Sequence, residues 1–197
     1  MSRESQRQRI ERCLQAVEDT PDSAAAHYNL GLAYTVSGRV KAAEEAYRKA
    51  LELDPTMVEA WVNLGGVLLM RWEFAGCRDA NLEAIKLDEN SVVAHYNLGQ
   101  AYLYLNDPGN LLKCNERVIE LDREHAAAHY HAAVAQLALD NLGAAERHLG
   151  RAMELGHAPS QDFVKAMEKA QMKKARKGSV TLVEITGAEG PDKPRED

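Results

Sequence analysis

The sequence predicts an all-α protein, a solenoid of stacked antiparallel helix hairpins, and three observations carry that prediction. The first is an internal period of 34 residues, which aligns His27-Tyr28-Asn29-Leu30-Gly31 with Trp61-Val62-Asn63-Leu64-Gly65 and with His95-Tyr96-Asn97-Leu98-Gly99. A weaker fourth copy begins at His129. The second is spacing: the residues at the Trp61, Leu64, Gly65 and Leu68 positions recur at i, i+3, i+4 and i+7, which puts them on one face of a helix. The third is composition. Hydrophobic residues make up 45% of the chain but aromatic residues only 6%, and alanine recurs at fixed spacings, a balance that suits closely packed helices better than a β-sandwich.

Each element follows in order. Residues 1–22 read as an N-terminal helix, the second half of a truncated repeat, because Cys13, Ala16 and Pro21 stand one period before Tyr47, Ala50 and Pro55. Residues 23–159 hold four units, at about 24–57, 58–91, 92–125 and 126–159. The second helix of each unit closes with a matching stretch: Ala50-Leu51-Glu52-Leu53-Asp54, Ala84-Ile85-Lys86-Leu87-Asp88, Val118-Ile119-Glu120-Leu121-Asp122 and Ala152-Met153-Glu154-Leu155-Gly156. Turn residues divide the two helices of units one, three and four at Ser37-Gly38, Asn106-Asp107-Pro108 and Asp140-Asn141. Asp54-Pro55 ends unit one, since the residue before proline avoids the helical region. Glycine inside a helix costs roughly 1 kcal/mol against alanine, so Gly31, Gly65 and Gly99 in register imply close approach by the partner helix. Residues 160–177 give an amphipathic capping helix with Phe163, Ala166 and Ala170 in phase with Trp61, Leu64 and Leu68. Residues 178–197 form an extended or flexible tail. Within it Val180 to Ile185 is apolar and β-branched, and is expected to dock on a groove of its own or a neighbouring copy, masking a site or building a dimer.

These residues resemble the tetratricopeptide repeat, whose pattern unit one matches at Leu30, Gly31, Tyr34, Ala43, Tyr47, Ala50 and Pro55. His27 stands where Trp61 supplies the family's aromatic, Asn81 and Asn115 replace Tyr47, and unit four has Ala132-Ala133 for Leu-Gly. The resemblance implies a right-handed superhelix whose first helices line a concave groove. It assigns to that groove Tyr28, Asn29 and Leu32 from unit one, and Val62, Asn63, Leu69 and Met70 from unit two. Unit three supplies Tyr96, Asn97, Gln100, Leu103 and Tyr104, and unit four Tyr130, His131, Val134 and Leu137.

Asn29, Asn63 and Asn97 recur at the period, and an amide that both donates and accepts can pair with the backbone of an extended peptide whatever its sequence. Tyrosine adds contact area with little rotamer entropy to lose. The expectation is a scaffold or adaptor that binds a protein or peptide partner. The alternatives are a self-associating homo-oligomer joined through its tail and a nucleic-acid binder acting through the basic last helix. Relatives that clamp acidic C-terminal tails use lysines, asparagines and arginine where this chain has Tyr28, Leu32, Asn63, Val93 and Asn97. Only Asn63 matches, so an apolar or amphipathic segment suits the groove better.

Charge and motifs argue against other classes. Lys and Arg total 24 against 30 Asp and Glu, a net charge of -6, which disfavours nucleic acid. The cations Lys165, Lys169, Lys173, Lys174, Arg176 and Lys177 complement the dipole at the end of the last helix. Three widely spaced cysteines, Cys13, Cys77 and Cys114, point to reduced thiols in a cytoplasmic protein, and Cys13 and Cys77 fall on packing positions that favour inert buried thiols. His27, His95 and His129 fall on the Trp61 packing position, and the run His125, His129, His131 lacks a cysteine or paired carboxylate to complete a metal site. No nucleophile-elbow, phosphate-loop or dinucleotide motif is present, and no cofactor, enzyme activity or membrane span is expected.

Overall fold

The computed structural model describes residues 3–178, with side chains described for residues 4–173. The described residues form ten helices: α1 Arg3–Asp19, α2 Ala24–Val36, α3 Val40–Leu53, α4 Val58–Met70, α5 Phe74–Leu87, α6 Val92–Tyr104, α7 Pro108–Leu121, α8 Ala126–Ala138, α9 Leu142–Glu154 and α10 Gln161–Gly178. Four hairpins result, α2 with α3, α4 with α5, α6 with α7 and α8 with α9. Each second helix packs on the first helix of the next unit, and α4 also lies against α6. The architecture is an all-α repeat solenoid. The expectations for Val180 to Ile185 and the rest of the tail lie outside the described residues.

Local chemistry repeats with the period. Ser23, Ser91 and His125 cap α2, α6 and α8 by accepting the backbone N–H of Ala26, Ala94 and Ala128 at 3.2, 3.4 and 3.1 Å. Asp54, Asp88 and Asp122 end α3, α5 and α7, each carboxylate accepting an N–H two residues on, from Thr56, Asn90 and Glu124. The Thr56 hydroxyl, donating to the Asp54 carboxylate at 2.6 Å, and the Thr56 N–H together hold the carboxyl of Asp54 below the usual range. Unit four ends differently, on Gly156 at φ +87°, with the N–H of His157 bonded to the carbonyl of Ala152.

The turn between the two helices of every unit demands a left-handed residue. Gly38, Trp72, Asn106 and Asp140 stand one period apart with φ of 73°, 64°, 56° and 60°. Glycine, asparagine and aspartate adopt this conformation readily, whereas a bulky side chain there costs on the order of 1–2 kcal/mol. Trp72 is thus the one strained member of the series.

The three helical glycines serve close packing, as their register implies. A Cβ added at Gly31 would sit 2.5 Å from the ring of Tyr47, and one at Gly99 would meet Asn115 Nδ2 at 2.8 Å; at Gly65 it would collide with Asn81. Asn81 and Asn115, wholly buried, bend their amides back to donate to the carbonyls of Cys77 and Leu111 at 2.8 Å. An asparagine therefore stands at the position of Tyr47 and stays wholly buried, although each Oδ1 is left unpaired among the described residues.

The substitution of Trp61 by histidine in the other units has a specific physical basis. Trp61 donates its Nε1–H to the carbonyl of Pro55 at 2.9 Å. His27 and His95 donate Nε2–H to Pro21 and Glu89 at 2.8 and 3.0 Å, and His129 to Arg123 at 3.3 Å, always six residues back. Because a carbonyl only accepts, the proton on these rings is fixed at Nε2 and Nδ1 is left an acceptor. For His129 that acceptor takes Nδ1–H of His148 at 3.3 Å. The three histidines keep the donor of the indole while surrendering its bulk.

Two ends close the described array. At the first, Ile10 of α1 is buried with Leu30, Ala33 and Ala46, and Cys13 and Val17 pack around them. At the other, α10 buries Phe163 and Met167 against Ala133, Leu142 and Ala145. The expected register of α10 needs one correction: Ala166 is exposed and Met167 takes its place in the contact. Met167 occupies the glycine position of the repeat, and with no described second helix pressing on it the position accepts a long side chain.

Candidate peptide-binding groove

Asn29, Asn63 and Asn97 project from α2, α4 and α6 at matching positions, and they are unequal in environment. Asn29 is exposed, while Asn63 and Asn97 are half-buried. Asn63 donates its Nδ2–H to the hydroxyl of Tyr28 at 3.1 Å, bridging α4 to α2. Among the described residues the side-chain amides of Asn29 and Asn97 make no hydrogen bond, so two of the three retain donors and an acceptor. Gly66 faces Asn97, a Cβ there lying 3.9 Å from the amide, so the strip between α4 and α6 is kept low.

Tyr28, Tyr96 and Tyr130 are half-buried and partly committed to the array. Tyr28 packs on Tyr47 with ring centroids 5.9 Å apart, Leu32 packs against the same core, and Val62 is half-buried. Tyr130 donates to Ser160 at 3.1 Å and meets Phe163 edge-on. Tyr96 lies between two imidazoles, 4.7 Å from His125 and stacked at 5.6 Å on His131. Burial raises the phenol pKa of Tyr28 and Tyr96 above the ordinary value, so both remain neutral donors.

His131 is strongly altered by its surroundings. Its Nδ1 is buried without a partner among the described residues, and burial, reinforced by His157 and His125, pushes the imidazole down to about 4. At neutral pH it is an uncharged ring within a stack of aromatic neighbours.

An accessible apolar surface lies at the turn edge between units two and three. Met70 is 56% and Tyr104 53% exposed, and Gln100 and Leu69 complete the wall of a pocket of about 190 Å³ with Trp72 and Phe74. Trp72 is 72% exposed; Phe74 and Tyr104 stack with centroids 4.4 Å apart. Trp72 and Phe74 belong to this surface although their sequence neighbourhood gives no turn signal. Their register does, since Trp72 falls one period from Gly38 and Asn106.

Two of the four units match the family model for the tetratricopeptide repeat, at residues 24–57 and 92–125. The chain is a tetratricopeptide repeat protein. As such it is a protein-interaction scaffold in architecture, a class that typically works without catalysis. Solved structures agree on the fold. MamA is 23% identical with a TM-score of 0.71, the match covering 85% of this chain and 89% of that one. YrrB, described as a TPR protein with an unusual peptide-binding site, is 23% identical at a TM-score of 0.70, covering 86% and 84%. The Pseudomonas aeruginosa protein PilF is 21% identical at a TM-score of 0.71, covering 95% and 91%. No curated protein matches the sequence.

Remaining chemistry in this tetratricopeptide repeat protein is muted. Cys77 and Cys114 are buried, and desolvation drives their thiols up to about 11 and about 12, far from a reactive range. Among the described residues no group of three His, Cys, Asp or Glu side chains is placed to hold a metal ion, and no helix is long and apolar enough to cross a membrane. On α10, Lys165 and Lys173 approach Asp162 and Asp140 at 3.9 and 4.0 Å; the side chains of Lys174, Arg176 and Lys177 lie outside those described.

Proposed function

We propose that this chain is a cytoplasmic adaptor that holds an extended, largely apolar polypeptide segment along the face formed by α2, α4 and α6. The observation that carries the reading is the amide row of Asn29, Asn63 and Asn97, of which the first and last have no partner among the described residues. Such amides pair with peptide backbone irrespective of sequence, and the flanking Leu32, Val62, Met70, Tyr96 and Tyr104 supply apolar contact. Gln100, Tyr130 and His131 extend the same face toward unit four. Support for a cytoplasmic site of action comes from three unpaired cysteines, two of them buried.

The test is selection of peptides from a random display library on the wild-type protein, followed by binding to an Asn29→Ala, Asn63→Ala, Asn97→Ala variant. Two lost backbone contacts, at Asn29 and Asn97, at about 1 kcal/mol each weaken binding by tenfold or more, while helicity is unchanged and loss of the Asn63–Tyr28 bond lowers the melting temperature by a few degrees. Equal affinity for the variant would remove the amide row from recognition.

A further inference from the structure

The groove side of the array has two features that stacking of hairpins does not require. One is a row of rings. His125, Tyr96, His131, Tyr130 and His157 follow one another across units three and four with centroids 4.7, 5.6, 5.8 and 4.5 Å apart, and all five are half-buried, so each keeps part of its surface accessible. The other is the scarcity of charge. Helices α2, α6 and α8 contain no Asp, Glu, Lys or Arg and α4 contains only Glu59, whereas α3, α5, α7 and α9 each carry both signs. An ionised ligand would leave water without finding a counter-charge on this wall, so the complementary segment is uncharged. The uncharged stretch stops at α10, where Lys165 and Glu168 stand in the register of Asn29 and Leu32.

Spacing selects the conformation of that segment. Successive first helices pack about 8–10 Å apart, so a chain crossing them has to return to the same face at about that interval. A β-strand returns every second residue, about 6.7 Å, and an α-helix every turn, about 5.4 Å. A polyproline II chain returns every third residue, about 9.3 Å, and matches. Proline also suits the wall. Its ring is apolar and packs on aromatic faces, and Tyr96 and Tyr130, joined through the ring of His131, stand one unit apart to take prolines at i and i+3. Because proline has no N–H, the backbone of such a segment offers mainly acceptors. The amide of Asn97 and the hydroxyl of Tyr96, without partners among the described residues, supply donors on the same helix.

The geometry points to a proline-rich segment in the polyproline II conformation as the ligand of units three and four, with prolines at i and i+3 seated on Tyr96 and Tyr130. This inference rests on the groove reading and deepens it by naming the chemistry of the partner.

Two capped synthetic probes test it: four repeats of Pro-Leu-Pro, and four repeats of Ser-Leu-Ser, which keep the length, the leucines and the absence of charge. Fluorescence anisotropy should show the proline probe bound about tenfold tighter or more, since its conformation is set before binding. Tyr96→Leu, which keeps apolar bulk without a flat ring, should remove most of that advantage, whereas Tyr96→Phe should keep it, with equal helicity by circular dichroism. In the complex with the unaltered protein, the prolyl side-chain protons should move upfield through ring currents, a readout that needs no variant. Equal affinity for the two probes would overturn the inference and leave the groove reading standing, as would a proline advantage untouched by Tyr96→Leu. Failure to hold either probe, in a protein that still holds its library-selected peptide through the asparagines, would overturn it as well. Failure of the groove reading itself shows separately, as equal binding of that selected peptide to the triple asparagine variant.

Discussion

Acid should destabilise this protein, and His131 carries a separable share of the loss. The perturbation is His131→Phe, which keeps a flat ring stacked on Tyr96 and beside Tyr130 while removing the titrating group. In the folded protein His131 is held to about 4 by burial and by His157 and His125, whereas in the unfolded chain it titrates at the ordinary 6.5. The unfolded state therefore takes up a proton that the folded state refuses, so stability present above pH 6.5 is lost as pH falls toward 4. Between pH 7 and pH 5 the loss is about 2 kcal/mol, rising to about 3 kcal/mol once the folded imidazole itself protonates. Urea denaturation of wild type and variant at pH 7, 6 and 5 isolates this quantity, because His148, lowered in the same direction by burial, is common to both proteins. The wild type should lose about 2 kcal/mol more than the variant over that range. Parallel pH profiles would refute the reasoning and place His131 in contact with solvent.

Other outcomes follow from the packing. Gly65→Ala should cost on the order of 1–3 kcal/mol in thermal or urea unfolding, because the new methyl meets the buried amide of Asn81, while Gly150→Ala, with open space around it, should be neutral or stabilising. His95→Trp should raise the melting temperature by a few degrees: it restores the indole that Trp61 provides, keeps a donor for the carbonyl of Glu89, and fills part of a cavity of about 580 Å³ between α5, α6 and α7. Iodoacetamide at pH 8 should label Cys13 in the native protein and reach Cys77 and Cys114 only after unfolding, as read by peptide mass.

The hairpin stack was legible because its signals are periodic and local. Trp61, Leu64, Gly65 and Leu68 mark a helix face by spacing alone, and the glycines announce a close approach that the structure places against Tyr47, Asn81 and Asn115. What spacing does not reveal is how much of a face stays open. Tyr28, Tyr96 and Tyr130 lie at the expected positions, yet their hydroxyls or rings are taken up by Asn63, by His125 and His131, and by Ser160 and Phe163. That depends on contacts between units, where residues 35 positions apart meet, and no single repeat encodes it. The Trp72 pocket escaped for a different reason. Arg71-Trp72-Glu73 contains none of the residues that mark turns, so its left-handed backbone shows only through register with Gly38, Asn106 and Asp140.

The claim on which the functional account rests is that the bound polypeptide lies along the first helices. A photo-crosslinking residue installed at Asn29, exposed on α2 of the groove face, and another at Glu116, exposed on second helix α7, distinguish the two sides of the array when a library-selected peptide is bound. The account predicts a peptide adduct from position 29 and none from position 116. An adduct formed from position 116 alone would contradict it.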